Sequence, residues 1–163
     1  MQRDDQDLEK KAKLRAMRLL ERMDRTEAQL RRKLREDAYP EDVIDAAIQY
    51  VASFGYIGDV GYARRFVQSR QQSKSKREIC TALMQRGVSK ELIDQALEEG
   101  YEDTDESAAI CRLLRKRHFD AETATDVEKK KMMGYLIRKG FRYEDVLKNL
   151  QVSSNSVKLF SEN

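Results

Sequence analysis

One histidine, two cysteines and many scattered carboxylates are the groups of this 163-residue chain that could do chemistry at neutral pH. A metal centre needs three or four donors at close spacing. A covalent nucleophile needs a base within reach. His118 stands between Arg117 and Phe119, while Cys80 and Cys111 lie on separate helical stretches. Neither pattern meets those needs, and HExxH, CxxC and GxSxG are absent. Gly55, Gly58 and Gly61 recur every third residue, but no GxxxxGKS or GxxxxGKT follows. They shape a turn and do not cradle a phosphate. The expectation is a chain with no catalysis, no cofactor and no metal. Both thiols are expected to be buried or half-buried without a disulfide, which suits a reducing cytoplasm.

The remaining chemistry is charge, and it comes in blocks. Charged residues make up 37% of the chain, yet the formal net charge is only +3. Residues 1–59 carry 12 basic and 13 acidic side chains; residues 60–90 carry 8 and 1. Residues 91–126 reverse this with 4 and 11, and residues 127–163 carry 8 and 4. The middle positive block includes Arg64, Arg65, Arg70, Lys74, Lys76 and Arg77. The C-terminal one includes Lys129, Lys130, Lys131, Arg138, Lys139 and Arg142. EEGYEDTDE at 98–106 lies between them, and its composition suits a linker that allows hinge motion. Such alternation suits a partner of mixed charge better than a bare phosphate backbone.

These residues must be held by helices. One proline and seven glycines are few punctuators for this length, which disfavours an all-β chain. Leu8, Ala12, Ala16, Leu20 and Met23 recur at helical period, with Leu14 and Met17 widening the stripe. Thr26 with Gln29 reads as a capping box, and Ser75 with Glu78 repeats it. Leu34, Leu83 and Leu136 are corresponding anchors. Gly87 and Gly140 each follow their anchor by four residues. The spacing predicts an all-α fold, an elongated array of three tandem three-helix units. The expected boundaries are 5–57, 58–102 and 103–151, with a C-terminal tail at 152–163. Each unit's core is small, so stability is shared between neighbours. The N-terminus lacks the apolar core of a secretory signal, and no stretch approaches a membrane span.

Two stretches resemble the RecX family of regulatory proteins. Gly55, Tyr56, Ile57, Asp59, Tyr62, Ala63, Phe66 and Val67 match its Gly-Tyr-Leu-(Asp/Asn)-Asp motif with the aromatic-Ala and aromatic-Val pairs that follow. Lys129 through Phe141 is similar to its lysine-rich helix ending in Leu-x-Arg-(Arg/Lys)-Gly-Phe. Ala16, Leu19, Leu20, Thr26, Glu27, Leu30, Lys33 and Leu34 resemble its opening, and QRGVSKELIDQAL at 85–97 completes the pattern. The resemblance covers roughly residues 10–150. Three departures concern turns: Gly58 replaces an acid or asparagine, Tyr62 a phenylalanine, and serine the glycine expected within 73–75.

The resemblance implies a modulator of the RecA recombinase, built from repeated three-helix bundles. It would bind the RecA filament on single-stranded DNA and dampen strand exchange, ATP hydrolysis and co-protease activity. The expected protein is a cytoplasmic monomer with no membrane partner, and weak direct contact to DNA is allowed for. The twelve basic residues named above are the expected partner-binding set, positioned against phosphates or acidic side chains. A stand-alone DNA-binding protein and a helical scaffold for another protein stay open as alternatives.

Overall fold

The computed structural model describes residues 2–102 and 104–153. Among these residues there are nine α-helices and no strand, arranged as three consecutive three-helix repeats. Repeat one holds α1 (Gln2–Arg22), α2 (Glu27–Glu36) and α3 (Glu41–Ser53). Repeat two holds α4 (Asp59–Arg70), α5 (Lys76–Gln85) and α6 (Lys90–Gly100). Repeat three holds α7 (Ser107–Lys116), α8 (Asp126–Arg138) and α9 (Tyr143–Asn149). From residue 154 onward the expected tail lies outside the described residues.

Each repeat buries one apolar stripe per helix. In repeat one, Ala12, Ala16 and Leu19 of α1 meet Leu30, Leu34, Val43, Ile44, Ala47, Ile48 and Val51. The two alanines let α1 lie close against α3. Leu14 and Met23, expected on the stripe, are 59% and 57% exposed. At 100° per residue Leu14 falls opposite Ala12, and Leu19 occupies the inward position instead. In repeat three, Ala109, Ile110 and Leu114 meet Met133, Leu136, Phe141, Val146 and Leu150. Met132, four residues before the anchor Leu136 as Ile79 is before Leu83, is only half-buried, and Met133 turns inward. Each fully buried Leu or Ile stabilises the fold by about 1.5–3 kcal/mol relative to exposure.

The chain divides into two compact units, Met1–Arg65 with Leu83–Asp94, and Phe66–Ala82 with Gln95–Asn163. Helices α4, α5 and α6 therefore contribute to both. One joint between repeats occurs inside each unit. Both are built on a helix N-cap, where backbone N–H groups lack intrahelical partners.

In the first unit, Thr26 caps α2 and forms the expected box with Gln29. Its hydroxyl is fully buried and donates to the carbonyl of Arg86, just beyond α5. In the second unit, Ser75 forms the same box with Glu78 ahead of α5. Its buried hydroxyl donates to the Lys139 carbonyl, at the end of α8, over 2.6 Å. Repeat three has a third box, Thr125 with Glu128. There the cap is exposed, and its hydroxyl turns back to Glu128 Oε2 at 3.1 Å.

The glycines follow from these joints. Gly87 and Gly140 adopt φ of +79° and +91° just after the two accepting carbonyls. A Cβ on Gly87 would lie 2.4 Å from Cβ of Ala28, and one on Gly140 would lie 2.7 Å from Cβ of Arg77. Ala38 occupies the same place after α2 with φ +62°, yet it is exposed. A left-handed backbone alone thus tolerates alanine here; the close approach of another helix demands glycine.

A carboxylate completes each joint. The N–H of Glu27 donates to Asp59 Oδ1 at 3.0 Å. The N–H of Lys76 donates to Glu106 Oε1 at 2.7 Å, and the N–H of Arg142 to Glu106 Oε2 at 2.9 Å. Glu106 is 1% exposed, so it is a buried carboxylate held by two backbone donors. This corrects the expectation of a loose linker at 98–106. Residues 98–100 finish α6, Tyr101 is buried, and a Cβ on Gly100 would meet Val67 Cγ1 at 2.6 Å. Asp105 accepts from the Ser107 N–H and from Lys148, which holds its carboxyl down at about 2. Asp103 lies outside the described residues.

Two outcomes are expected in denaturant titrations. Gly87→Ala and Gly140→Ala each lower stability by about 2 kcal/mol or more, through left-handed strain and overlap together. Ala38→Gly, at the uncrowded place, leaves stability unchanged or raises it by up to about 1 kcal/mol. Equal losses at Gly87, Gly140 and an unrelated exposed glycine would refute the crowding argument. Glu106→Gln lowers stability by about 2–3 kcal/mol, because an amide offers one acceptor where two donors converge. Asp59→Asn, half-exposed, costs less.

Candidate partner-binding surface

The twelve basic residues expected to bind a partner fall in different surroundings. Arg64 and Arg65 are exposed on α4, and Arg65 forms an ion pair with Asp24 at 2.6 Å. Arg70 lies over the Phe66 ring at 5.2 Å. Lys76 is half-buried, with Nζ 4.4 Å above the ring of Tyr101. That phenol is pushed up to about 12, first by burial and then by Glu106, and stays neutral. Arg77 is exposed, with its aliphatic stem against Gly140. Lys129 is half-buried, and Lys130, Lys131 and Arg138 are exposed along α8. Arg142 pairs with Glu144 at 3.4 Å. Lys74 and Lys139 are the two that come together.

They meet in a groove of about 620 Å³ in the second unit, lined also by Ser73, Arg112, Leu113, Lys116, Arg117 and Tyr135. Five of its eight lining residues are cations and none is an acid. Lys139 has one partner, Glu78, at 3.6 Å. Lys74, Arg112, Lys116 and Arg117 are exposed and have no carboxylate partner among the described residues. The guanidinium of Arg117 stacks 3.7 Å from the centroid of the Tyr135 ring, and Lys139 Nζ lies 5.6 Å from it. A second cavity of about 520 Å³ shares Arg117 and Tyr135. It is lined further by Phe119, Met132, Asp120, Thr123, Glu128 and Lys131, among others.

Local structure explains the clustering. Arg112 and Lys116 are one turn apart on α7, and Lys131 and Tyr135 follow one face of α8, with Lys139 as its C-cap a turn further on. Arg115 and Lys116 occupy the last turn of α7, where cations oppose the helix dipole favourably. His118 takes φ +52° after that helix, and the Phe119 N–H returns to the Leu114 carbonyl at 2.9 Å. That turn points the chain back toward the core, where Phe119 packs. Lys74 directly precedes the capping Ser75, whose hydroxyl holds the Lys139 carbonyl. Joint and groove are therefore one construction. Arg25 and Arg86 hold the same two places at the joint of the first unit.

Other chemistry is limited. Cys80 and Cys111 are free and half-buried, and Cys111 Sγ donates to Asn149 Oδ1 at 3.2 Å. Among the described residues, no three His, Cys, Asp or Glu side chains are grouped to hold a metal, and no helix is long and apolar enough to cross a membrane.

Models of the first, second and third three-helix domains of RecX match residues 12–50, 59–97 and 104–148. The chain belongs to the RecX family. It is 34% identical to the regulatory protein RecX of Caldanaerobacter subterraneus subsp. tengcongensis, over 88% of this chain and 71% of that one. Identity to the RecX of Trichlorobacter lovleyi is 35%, over 84% and 91%. A crystal structure of RecX from Lactobacillus salivarius has a similar fold, with a TM-score of 0.77 over 89% of this chain and 96% of that one. The identity there is 23%, so that likeness concerns the fold. As a RecX-family member the chain is a regulatory protein and not an enzyme.

Sequence reasoning missed Arg112, Lys116 and Arg117. They sit in the segment with 4 basic and 11 acidic residues, so averaging hid them. The signal was present at helical spacing: Arg-x-x-x-Lys at 112–116, facing Lys-x-x-x-Tyr-x-x-x-Lys at 131–139.

Proposed function

We propose that this protein binds the RecA recombinase filament on single-stranded DNA and dampens ATP hydrolysis, strand exchange and co-protease activity. Membership of the RecX family supports a regulatory role in DNA recombination and the SOS response. The observation that carries the reading to a surface is the cluster of unpartnered cations in the second unit. A filament of protein and DNA offers both carboxylates and phosphates to such a groove. Of the twelve basic residues of the sequence expectation, Lys74 and Lys139 line this groove. Arg64, Arg65, Arg70, Lys76, Arg77, Lys129, Lys130, Lys131, Arg138 and Arg142 would add long-range attraction to what Lys74 and Lys139 contribute directly. The protein acts as a cytoplasmic monomer.

The test is single-stranded-DNA-dependent ATP hydrolysis by preformed RecA filaments from the same organism. Suppression is expected at substoichiometric protein, at concentrations where free DNA is scarcely bound. Unaltered hydrolysis at saturating protein would overturn the proposal. Steep salt-dependent binding to naked DNA with no gain from RecA would favour the stand-alone DNA-binding alternative.

A further inference from the structure

Three exposed aromatic side chains of the first unit belong neither to a joint nor to the groove. Tyr50 is on α3, Phe54 is the C-cap of that helix, and Tyr56 follows in the turn. They are 40%, 56% and 51% exposed. Their rings form one ladder. Tyr50 meets Phe54 edge-on at 5.1 Å, and Phe54 stacks on Tyr56 at 5.6 Å with 20° between the planes. The turn sets this arrangement. Gly55 takes φ +70°, and its N–H returns to the Ala52 carbonyl at 2.9 Å. The Tyr56 N–H returns to the Val51 carbonyl at 3.1 Å. The chain then buries Ile57 and leaves Tyr56 outside.

The ladder sits in the longest uncharged run of the chain. Residues 46–58 carry no charged side chain, in a sequence that is 37% charged. Lys13 comes within 5.5 Å of the Tyr50 ring centroid, but it pairs with Glu9 at 3.3 Å. A neutral aromatic face gives a phosphate backbone nothing to hold. It matches an uncharged, apolar protein surface, because neither side then strands a charge on desolvation. Size narrows the partner further. At about 200 Å² per aromatic side chain, these exposures amount to about 300 Å². A stable pair of copies needs about 800 Å² from each. The ladder is too small to hold two copies together, and it suits an anchor that works beside a second attachment.

We infer that Tyr50, Phe54 and Tyr56 form an anchor for protein, docked on an uncharged apolar seat of the recombinase protomer. The inference rests on the proposed function and adds to it a contact with protein, separate from the cationic groove. The rings are held by one another and by a backbone turn, so docking them costs little side-chain entropy. Two weak attachments on one chain bind a filament more tightly than either does alone.

The experiment compares three variants of the full chain with wild type. Phe54→Ala with Tyr56→Ala removes two rings that are more than half exposed. Tyr50→Gln removes the third from the helix surface and leaves the turn alone. Phe54→Tyr with Tyr56→Phe keeps both ring faces. Two quantities are read: the concentration that half-suppresses ATP hydrolysis by preformed RecA filaments, and the affinity for an oligothymidylate of about 15 nucleotides without RecA. The double alanine variant is expected to need about tenfold more protein or beyond, as when a central aromatic anchor is truncated. Tyr50→Gln is expected to need about threefold more, and the ring-keeping variant no more than wild type. Oligothymidylate affinity and circular dichroism should match wild type in every variant. Unchanged suppression by both ring-removing variants would overturn the anchor and leave the proposed function standing. An equal loss of oligothymidylate affinity would overturn it too, because the rings would then be stacking on bases. A wild-type dimer in sedimentation that the double alanine variant breaks would make the ladder a face between copies and overturn the inference. Wild-type protein without effect on RecA hydrolysis would remove the proposed function and the anchor together.

Discussion

A helix N-terminus leaves backbone donors without partners, and this protein satisfies two of its N-termini by using the next repeat. Thr26 and Ser75 cap their own helices and, with the same buried hydroxyls, hold the carbonyls of Arg86 and Lys139. Asp59 and Glu106 take the first helical N–H beside those caps. A hydroxyl that donates outward and accepts inward satisfies groups of two repeats at once. Each core is small and gives limited stability by itself, so what fixes one repeat on the next also fixes the fold. Gly87 and Gly140 have no side chain because the facing helix occupies that space. Ala38, which is exposed, keeps a methyl group in the same left-handed backbone region.

The same joint builds the surface. Ser75 holds the end of α8, so Lys74 and Lys139 come to one groove as a consequence of capping. Glu106 holds the starts of α5 and α9 together, and α7 begins at the next residue. Arg112 and Lys116 stand further along that helix. Electrostatic repulsion among these cations is the cost of the arrangement, and among the described residues Lys139 alone of the four has a carboxylate, Glu78, to offset it. Uncompensated charge on a rigid support suits recognition of an anion.

Much of this was legible in the sequence, for physical reasons. Apolar residues at helical period, capping boxes at Thr26 and Ser75, and glycines four residues after Leu83 and Leu136 mark helices and their ends through local chemistry. What was not legible depends on tertiary packing. The run at 98–106 reads as a solvated linker because six acids in nine residues suggest water. The fold instead buries Glu106, because two backbone donors need it. Leu14 and Met23 read as core by their spacing, but α1 turns Leu14 outward and ends before Met23, which is exposed. The cations of α7 were hidden among neighbouring acids in the sequence, since charge summed along a chain is blind to which helix face carries it.

Amide hydrogen exchange tests the joint most directly, because the molecule contains its own control. The first helical N–H of α5, at Lys76, has Glu106 as acceptor, and the Arg142 N–H shares that carboxylate. The first helical N–H of α8, at Asp126, occupies the same place in the repeat without an acceptor among the described residues. First-turn amides ordinarily exchange quickly. Protection at Lys76 and Arg142 comparable to helix interiors, with rapid exchange at Asp126, is the predicted result. Exchange at Lys76 as fast as at Asp126 would contradict the account.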